Sequence, residues 1–232
     1  GYTATPYANV LNESGLESLY PKDFIATLSV SDEYFGPQQI FGCEDSGYEG
    51  LDIVRNINQA DLDAFAKLHK GHMVSLPESL IDSISWFLCG AACLRYWQHN
   101  KPISMLVHTS QNTGHHANVA TAIEEWVLNT PNDEIISNCE KIWKQETTTF
   151  SFSDFLDQYP DYGIKPENIK DYPDFSIIKS EIENILTKDY RISNIPLSNT
   201  TKKPRYHTGI HLCIDNCKNN GTSNDAMVRL MY

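Results

Sequence analysis

Five residues within a six-position window carry groups that can hold an anion. They are His108, Thr109, Ser110, Asn112 and Thr113. Three offer hydroxyls, two of them at adjacent positions, one offers an amide, and His108 adds a ring nitrogen. The run before them, ISMLVH (103–108), is short, apolar and β-rich, so it reads as a buried strand. After QNTG a helical pattern begins near Thr113 and continues to about Leu128. The polar cluster therefore falls at the carboxyl end of a strand and just ahead of a helix. A parallel sheet presents its ligand crevice at that end, and unpaired N–H groups of a helix N-terminus attract phosphate. The expectation is that these five residues hold one phosphate of a nucleic-acid strand. The plainer alternative is that Thr113 only caps the helix.

A second candidate set lies near the end of the chain. Lys202, Lys203 and Arg205, with Arg191 before them, occur where no acid stands between residues 190 and 214. Such a stretch attracts a phosphate backbone. The alternative is a solvated basic loop.

Three further groupings are weaker. Asp174, Lys179, Glu181 and Glu183 contain the residue types of a metal-dependent nuclease. However, Glu181 and Glu183 are two apart on a helical pattern and do not share a face. His207, His211, Cys213 and Cys217 have zinc-ligand chemistry. A straight strand would spread them over roughly 33 Å, too far for one ion. Cys89 and Cys93 share a helix face and read as core thiols, and His115 and His116 open a helix with no nucleophile elbow beside them. Three motifs are missing. There is no GxxxxGK[ST] phosphate loop and no Asp-Glu-x-His box, and no arginine-bearing motor motif is present either. These residues cannot assemble a nucleotide site, so no cofactor is expected for the chain itself.

The elements that must position these groups are legible. Leu80, Ile81, Ile84, Phe87, Leu88, Ala91, Ala92 and Leu94 recur at three- and four-residue steps. They define a helix that starts at Ser75 or Pro77 and is apolar on more than one side. Asp61–Lys70 reads as a short helix, and 133–146 and 174–188 as two more. Residues 190–197 and 208–215 read as strands. Trp86, Trp97, Trp126 and Trp143 fall on helical patterns, so core packing is their expected role.

Length and composition set the outer bounds. The chain has 232 residues, of which 41% are hydrophobic and 21% charged. It can bury a substantial core and is not of disordered composition. A net charge of −12 argues against a general nucleic-acid coat protein or a basic membrane-surface protein. The most apolar run, Ile84 to Leu94, is too short to span a bilayer. Six cysteines in so long a chain read as reduced thiols of a cytoplasmic protein. The chain opens on Gly1 and closes on the apolar MVRLMY, which reads as an internal piece of a longer polypeptide.

A family resemblance ties several of these strings together. Thr3-Ala4-Thr5-Pro6 resembles the third motif of superfamily two helicases. Asn9, YFGPQQIFG (34–42), LPESLIDSISWFLCGAACLRYW (76–97) and SMLVHTS (104–110) follow in order. Together they resemble the Z-one family, found fused to helicase-like ATPases in bacterial restriction and phage-defence proteins and described as endonucleases. The likeness covers residues 1 to about 130, thins over 131–189 and returns over 190–232.

This resemblance implies an α/β fold: a partial RecA-like second motor lobe, a parallel sheet with a mostly helical insertion. Residues 1–20 would end the first lobe, with Thr3, Thr5 and Pro6 as the coupling motif. Residues 21–75 would be an acidic connector. Residues 76–130 and 190–232 would form the second lobe, incomplete, and 131–189 the insertion. It implies that the whole protein uses ATP and Mg²⁺ and engages DNA. The partners would be DNA, the other lobe of the same polypeptide and defence-system proteins, with no membrane. Two other classes remain open: a protein-binding module without enzymatic activity, and a self-contained Mg²⁺-dependent nuclease.

Overall fold

A computed structural model describes Ala26, Ser29, Tyr34, residues 36–43, Asp45, Gly47, 50–51, 53–99, Lys101, 103–158, 170–195 and 210–215. The strand backbones at 190–195 and 210–215 are described without their side chains. Seven α-helices are found among these residues: α1 (Pro37–Phe41), α2 (Gln59–His69), α3 (Glu78–Tyr96), α4 (Thr113–Asn129), α5 (Asn132–Thr149), α6 (Phe152–Gln158) and α7 (Phe175–Asn184). A π-helical turn (Ile185–Asp189) extends α7. Strands β1 (Ile103–Val107), β2 (Tyr190–Ile195) and β3 (Ile210–Asp215) are each five or six residues long.

Helix α2 has a defined stop at each end. Its N-cap Asn58 accepts a hydrogen bond from the Asp61 N–H at 2.8 Å. At its other end Gly71 takes φ +76°, a conformation that disfavours residues with a Cβ. The Gly71 N–H then donates to the Leu68 carbonyl at 2.8 Å and the His72 N–H to the Lys67 carbonyl at 3.1 Å. This is the paired closure of a Schellman motif, and it fixes where His69 sits.

Helix α3 begins after Pro77, which has no capping side chain. Asp61 of α2 supplies the cap from a distance. Its carboxylate accepts from the Glu78 N–H at 3.2 Å and the Ser79 N–H at 2.9 Å. The Ser79 hydroxyl beside it, the Ser79 N–H and the Glu78 N–H favour the ionised form. They hold the Asp61 carboxyl below its ordinary pKa, and burial opposes them. Helix α3 ends in a second Schellman closure, with Gln98 rather than glycine at positive φ (64°).

The core is helix against helix. Helix α3 packs on both α5 and α7, and α5 packs on α7. That double packing is why its apolar residues are not confined to one stripe: Leu80, Ile84, Leu88, Cys89, Ala92 and Cys93 are all buried. Between α3 and α5, the Cys89 thiol donates to the Cys139 carbonyl at 3.5 Å and the Cys139 thiol to the Ser85 carbonyl at 3.6 Å. Trp143 lies in this core and packs on Trp86 (5.6 Å between ring centroids) and edge-on to Tyr172 (5.5 Å). Trp97 and Trp126 pack against the same core, as their helical spacing predicts.

The expected RecA-like α/β lobe is not what forms. The described residues are mostly helical. The largest fully buried side chains, among them Ile84, Leu88, Ile123, Ile135, Ile178 and Ile182, all come from helices. The three strands pair in parallel in the order β1-β3-β2, with Ile103 beside Ile210 and Tyr190 beside Ile210. Among the described residues that is too little sheet to carry a doubly covered lobe. The strands form where the local pattern predicts them, but the sheet is not the framework: the helices expected as an insertion, α5 and α7, bury the main core with α3.

Candidate functional site

The polar cluster after β1 sits at a corner where three elements meet. Strand β1 buries Ile103 and Val107, which anchors its end in the core. Helix α4 buries His116, Val119, Ala120 and Ile123, at three- and four-residue steps, and packs on α2 and on β2 and β3. The end of α2 closes the third side through the amide of Asn118, which donates to the His69 carbonyl at 2.9 Å.

Within the corner, His69 Nε2 and Thr109 Oγ1 are 3.0 Å apart and hydrogen-bonded. Ser110 Oγ accepts from the Asn112 N–H at 3.1 Å and is bonded to His115 Nδ1 at 2.9 Å. His115 in turn stacks on His69, with ring centroids 4.6 Å apart and planes 6° from parallel. The buried His116 reaches back with Nε2 to donate to the Ser110 carbonyl, and the His108 ring tilts against it at 5.1 Å. The Nδ1 atom of His116 is buried without a hydrogen-bond partner. A carbonyl oxygen only accepts, so His116 carries a proton on Nε2 in this contact.

The structure brings four of the five predicted residues into contact with the corner as ring, hydroxyl or cap. The cap is Asn112 rather than Thr113: its side chain accepts from the Gly114 N–H at 2.9 Å, and Thr113 is the first helical residue. The His115 N–H is also committed, to the Asn112 carbonyl at 3.1 Å. Hydroxyls and ring nitrogens, more than bare helix N–H groups, are therefore the donors this corner can offer. Thr3, Thr5 and Pro6, and Lys202, Lys203 and Arg205, lie outside the described residues.

His69 escapes the sequence reading because it stands forty positions before Thr109, with no local pattern linking the two. Its pKa lies below the ordinary histidine value. Burial is the first cause, and the charges of His115 and His116 add to it. The only signal in the sequence was the Lys70-Gly71 stop, which ends α2 immediately after it.

Other candidates resolve more simply. Asp174, Lys179 and Glu183 are exposed on or beside α7 and do not converge. Among the described residues no group of three His, Cys, Asp or Glu is disposed to hold a metal ion. His207 and Cys217 lie outside the described residues, while His211 and Cys213 fall on β3, opposite Ser104 and Leu106 of β1. Among the described residues no helix is long and apolar enough to cross a membrane.

Comparison with known proteins adds one family. No curated protein and no solved structure matches the chain. The family model of the Z1 domain, the Z-one family of the resemblance above, matches residues 79–227. It takes in α3, the whole β1–α4 corner and helices α5 to α7. The expected coverage is thus displaced. The match starts at α3 rather than at Gly1, and it runs through 131–189, where the likeness had thinned. Because it spans well over half of the sequence, the chain belongs to the Z1 domain family.

Proposed function

We propose that this chain contacts nucleic acid through the β1–α4 corner and works within an ATP-driven, DNA-acting protein of a restriction or phage-defence system. In that setting it couples motor movement to a grip on DNA. It does not hydrolyse ATP by itself, because the sequence carries neither a phosphate-cradling loop nor a Mg²⁺-binding acidic box.

The observation that carries this reading is the pair of adjacent hydroxyls, Thr109 and Ser110, each bonded to a histidine ring at the carboxyl end of β1. Hydroxyls backed by imidazole can donate to a phosphate oxygen without a fixed positive charge. Such a contact orients a backbone and does not read bases. Lys202, Lys203 and Arg205 would supply the long-range attraction that an acidic chain otherwise lacks.

The test is fluorescence anisotropy with a labelled DNA duplex and a labelled single strand, over a series of salt concentrations. Thr109→Val with Ser110→Ala should weaken binding about tenfold, the loss of one hydrogen bond to a charged group. Neutralising Lys202, Lys203 and Arg205 should reduce the salt dependence by about one unit of slope for each phosphate contact removed. Unchanged affinity in the hydroxyl variant overturns the corner as a DNA contact.

A further inference from the structure

We propose that the corner takes up a proton together with a phosphate, and that the stacked His69–His115 pair holds that proton. This deepens the phosphate reading above and rests on it.

The argument begins with the hydroxyls. A neutral imidazole nitrogen can accept a hydrogen bond, whereas both nitrogens of an imidazolium can only donate. If His69 is protonated, its Nε2 must donate to Thr109 Oγ1 across the 3.0 Å contact. Thr109 then accepts, and its own proton is released to another acceptor. The same holds at Ser110. Its Oγ already accepts from the Asn112 N–H, so a protonated His115 Nδ1 makes it accept twice and frees its hydroxyl proton. Protonating either ring therefore turns its partner hydroxyl into a donor for an incoming oxyanion.

The stack limits the pair to one proton. Two imidazoliums face to face at 4.6 Å repel, whereas a cation over a neutral ring is attracted to it. Among the described residues, the groups facing His69 carry no negative charge. Helix α4 presents His115, His116 and the Asn118 amide, and the β1–α4 loop presents Thr109 and, beyond His116, His108. On its own helix Phe65 lies at 6.3 Å, while Lys67 and Lys70 are exposed. Among the described residues, the charges acting on His69 are those of His115 and His116, and both oppose its protonation. A phosphate oxygen beside Thr109 and Ser110 supplies the missing negative charge. Anion binding and proton binding thus favour each other by the same free energy.

Anisotropy with a labelled duplex at constant salt, between pH 8.0 and 5.5, tests this. Affinity should rise as pH falls, approaching about tenfold per pH unit where one full proton is taken up. His69→Gln and His115→Gln should each flatten that rise, whatever their affinity at pH 8. Calorimetry of the unmodified chain in two buffers of different ionisation enthalpy measures the proton directly and needs no variant; it should find uptake of up to one proton per DNA bound. A pH dependence that both variants retain, or a calorimetric uptake of zero, overturns the proposal and leaves the phosphate site standing. Absence of DNA binding at every pH overturns the phosphate site itself.

Discussion

His69 and His115 face one another with their rings 6° from parallel and 4.6 Å apart, one at the last turn of α2 and the other in the first turn of α4. The stack fixes two helix ends against the tip of β1, and it places an ionisable pair where charge has little to balance it. His69 is therefore easier to deprotonate in the folded chain than in the unfolded one.

The consequence for stability has a definite sign. A base with a depressed folded pKa leaves the unfolded chain binding more protons. The contribution of His69 is thus fully favourable above the unfolded histidine value of about 6.5 and is lost as pH falls from there through the lower folded value. Melting temperature should drop between pH 7 and 5, and His69→Gln should show a smaller drop. Equal slopes for the two proteins would show that His69 does not titrate in this way.

Asp61 caps a helix it does not belong to. Asp61→Ala leaves the Glu78 and Ser79 N–H groups without the carboxylate that receives them. A loss of about 1–2 kcal/mol is expected, the size of an N-cap deletion. Urea unfolding followed by circular dichroism measures it. Because the folded pKa is depressed, this contribution is present above the unfolded value and fades as pH falls through the folded one.

Gln98 adopts φ 64° in the closure after α3, where a side chain is disfavoured. Gln98→Gly should raise stability by about 0.5–1 kcal/mol, relief of left-handed strain being offset in part by greater freedom of the unfolded chain. A lowered denaturation midpoint would mean that the Gln98 side chain compensates through contacts of its own.

Glu146 is a nearly buried carboxylate at 8% exposure, held by the side chain of Arg55 through Nε at 2.9 and 3.1 Å and through a further contact from Nη2. Arg55→Ala strands that charge. A cost of about 2 kcal/mol is expected, below that of a fully buried pair because Arg55 is partly exposed. Glu146→Gln in the same background should recover part of it, read from the same urea curves.

The elements were legible where pattern and chain stop agreed. The α3 periodicity, the β1 run and the polar loop before α4 all stand where the sequence placed them, because each is set by local spacing. Two things were not local. Asp61 reads as an ordinary acid in the first turn of a helix, and nothing near it shows that it serves α3. His69 reads as a lone histidine at a helix end, and only the folding of α2 onto α4 brings it to Thr109. The wider architecture is not legible for a related reason. Parallel strands separated by helices resemble a sheet-based lobe in sequence. Whether the sheet or the helices bury most apolar surface depends on which faces meet, and Ile135, Ile178 and Ile182 show that the helices do.

DNA binding by the Thr109→Val, Ser110→Ala chain, compared with the unmodified chain at one salt concentration and at pH 6 and 8, is the most direct test of the corner. Loss of about tenfold in affinity at pH 6, with a smaller loss at pH 8, is the predicted result. Equal affinity of the two chains at both pH values would contradict it.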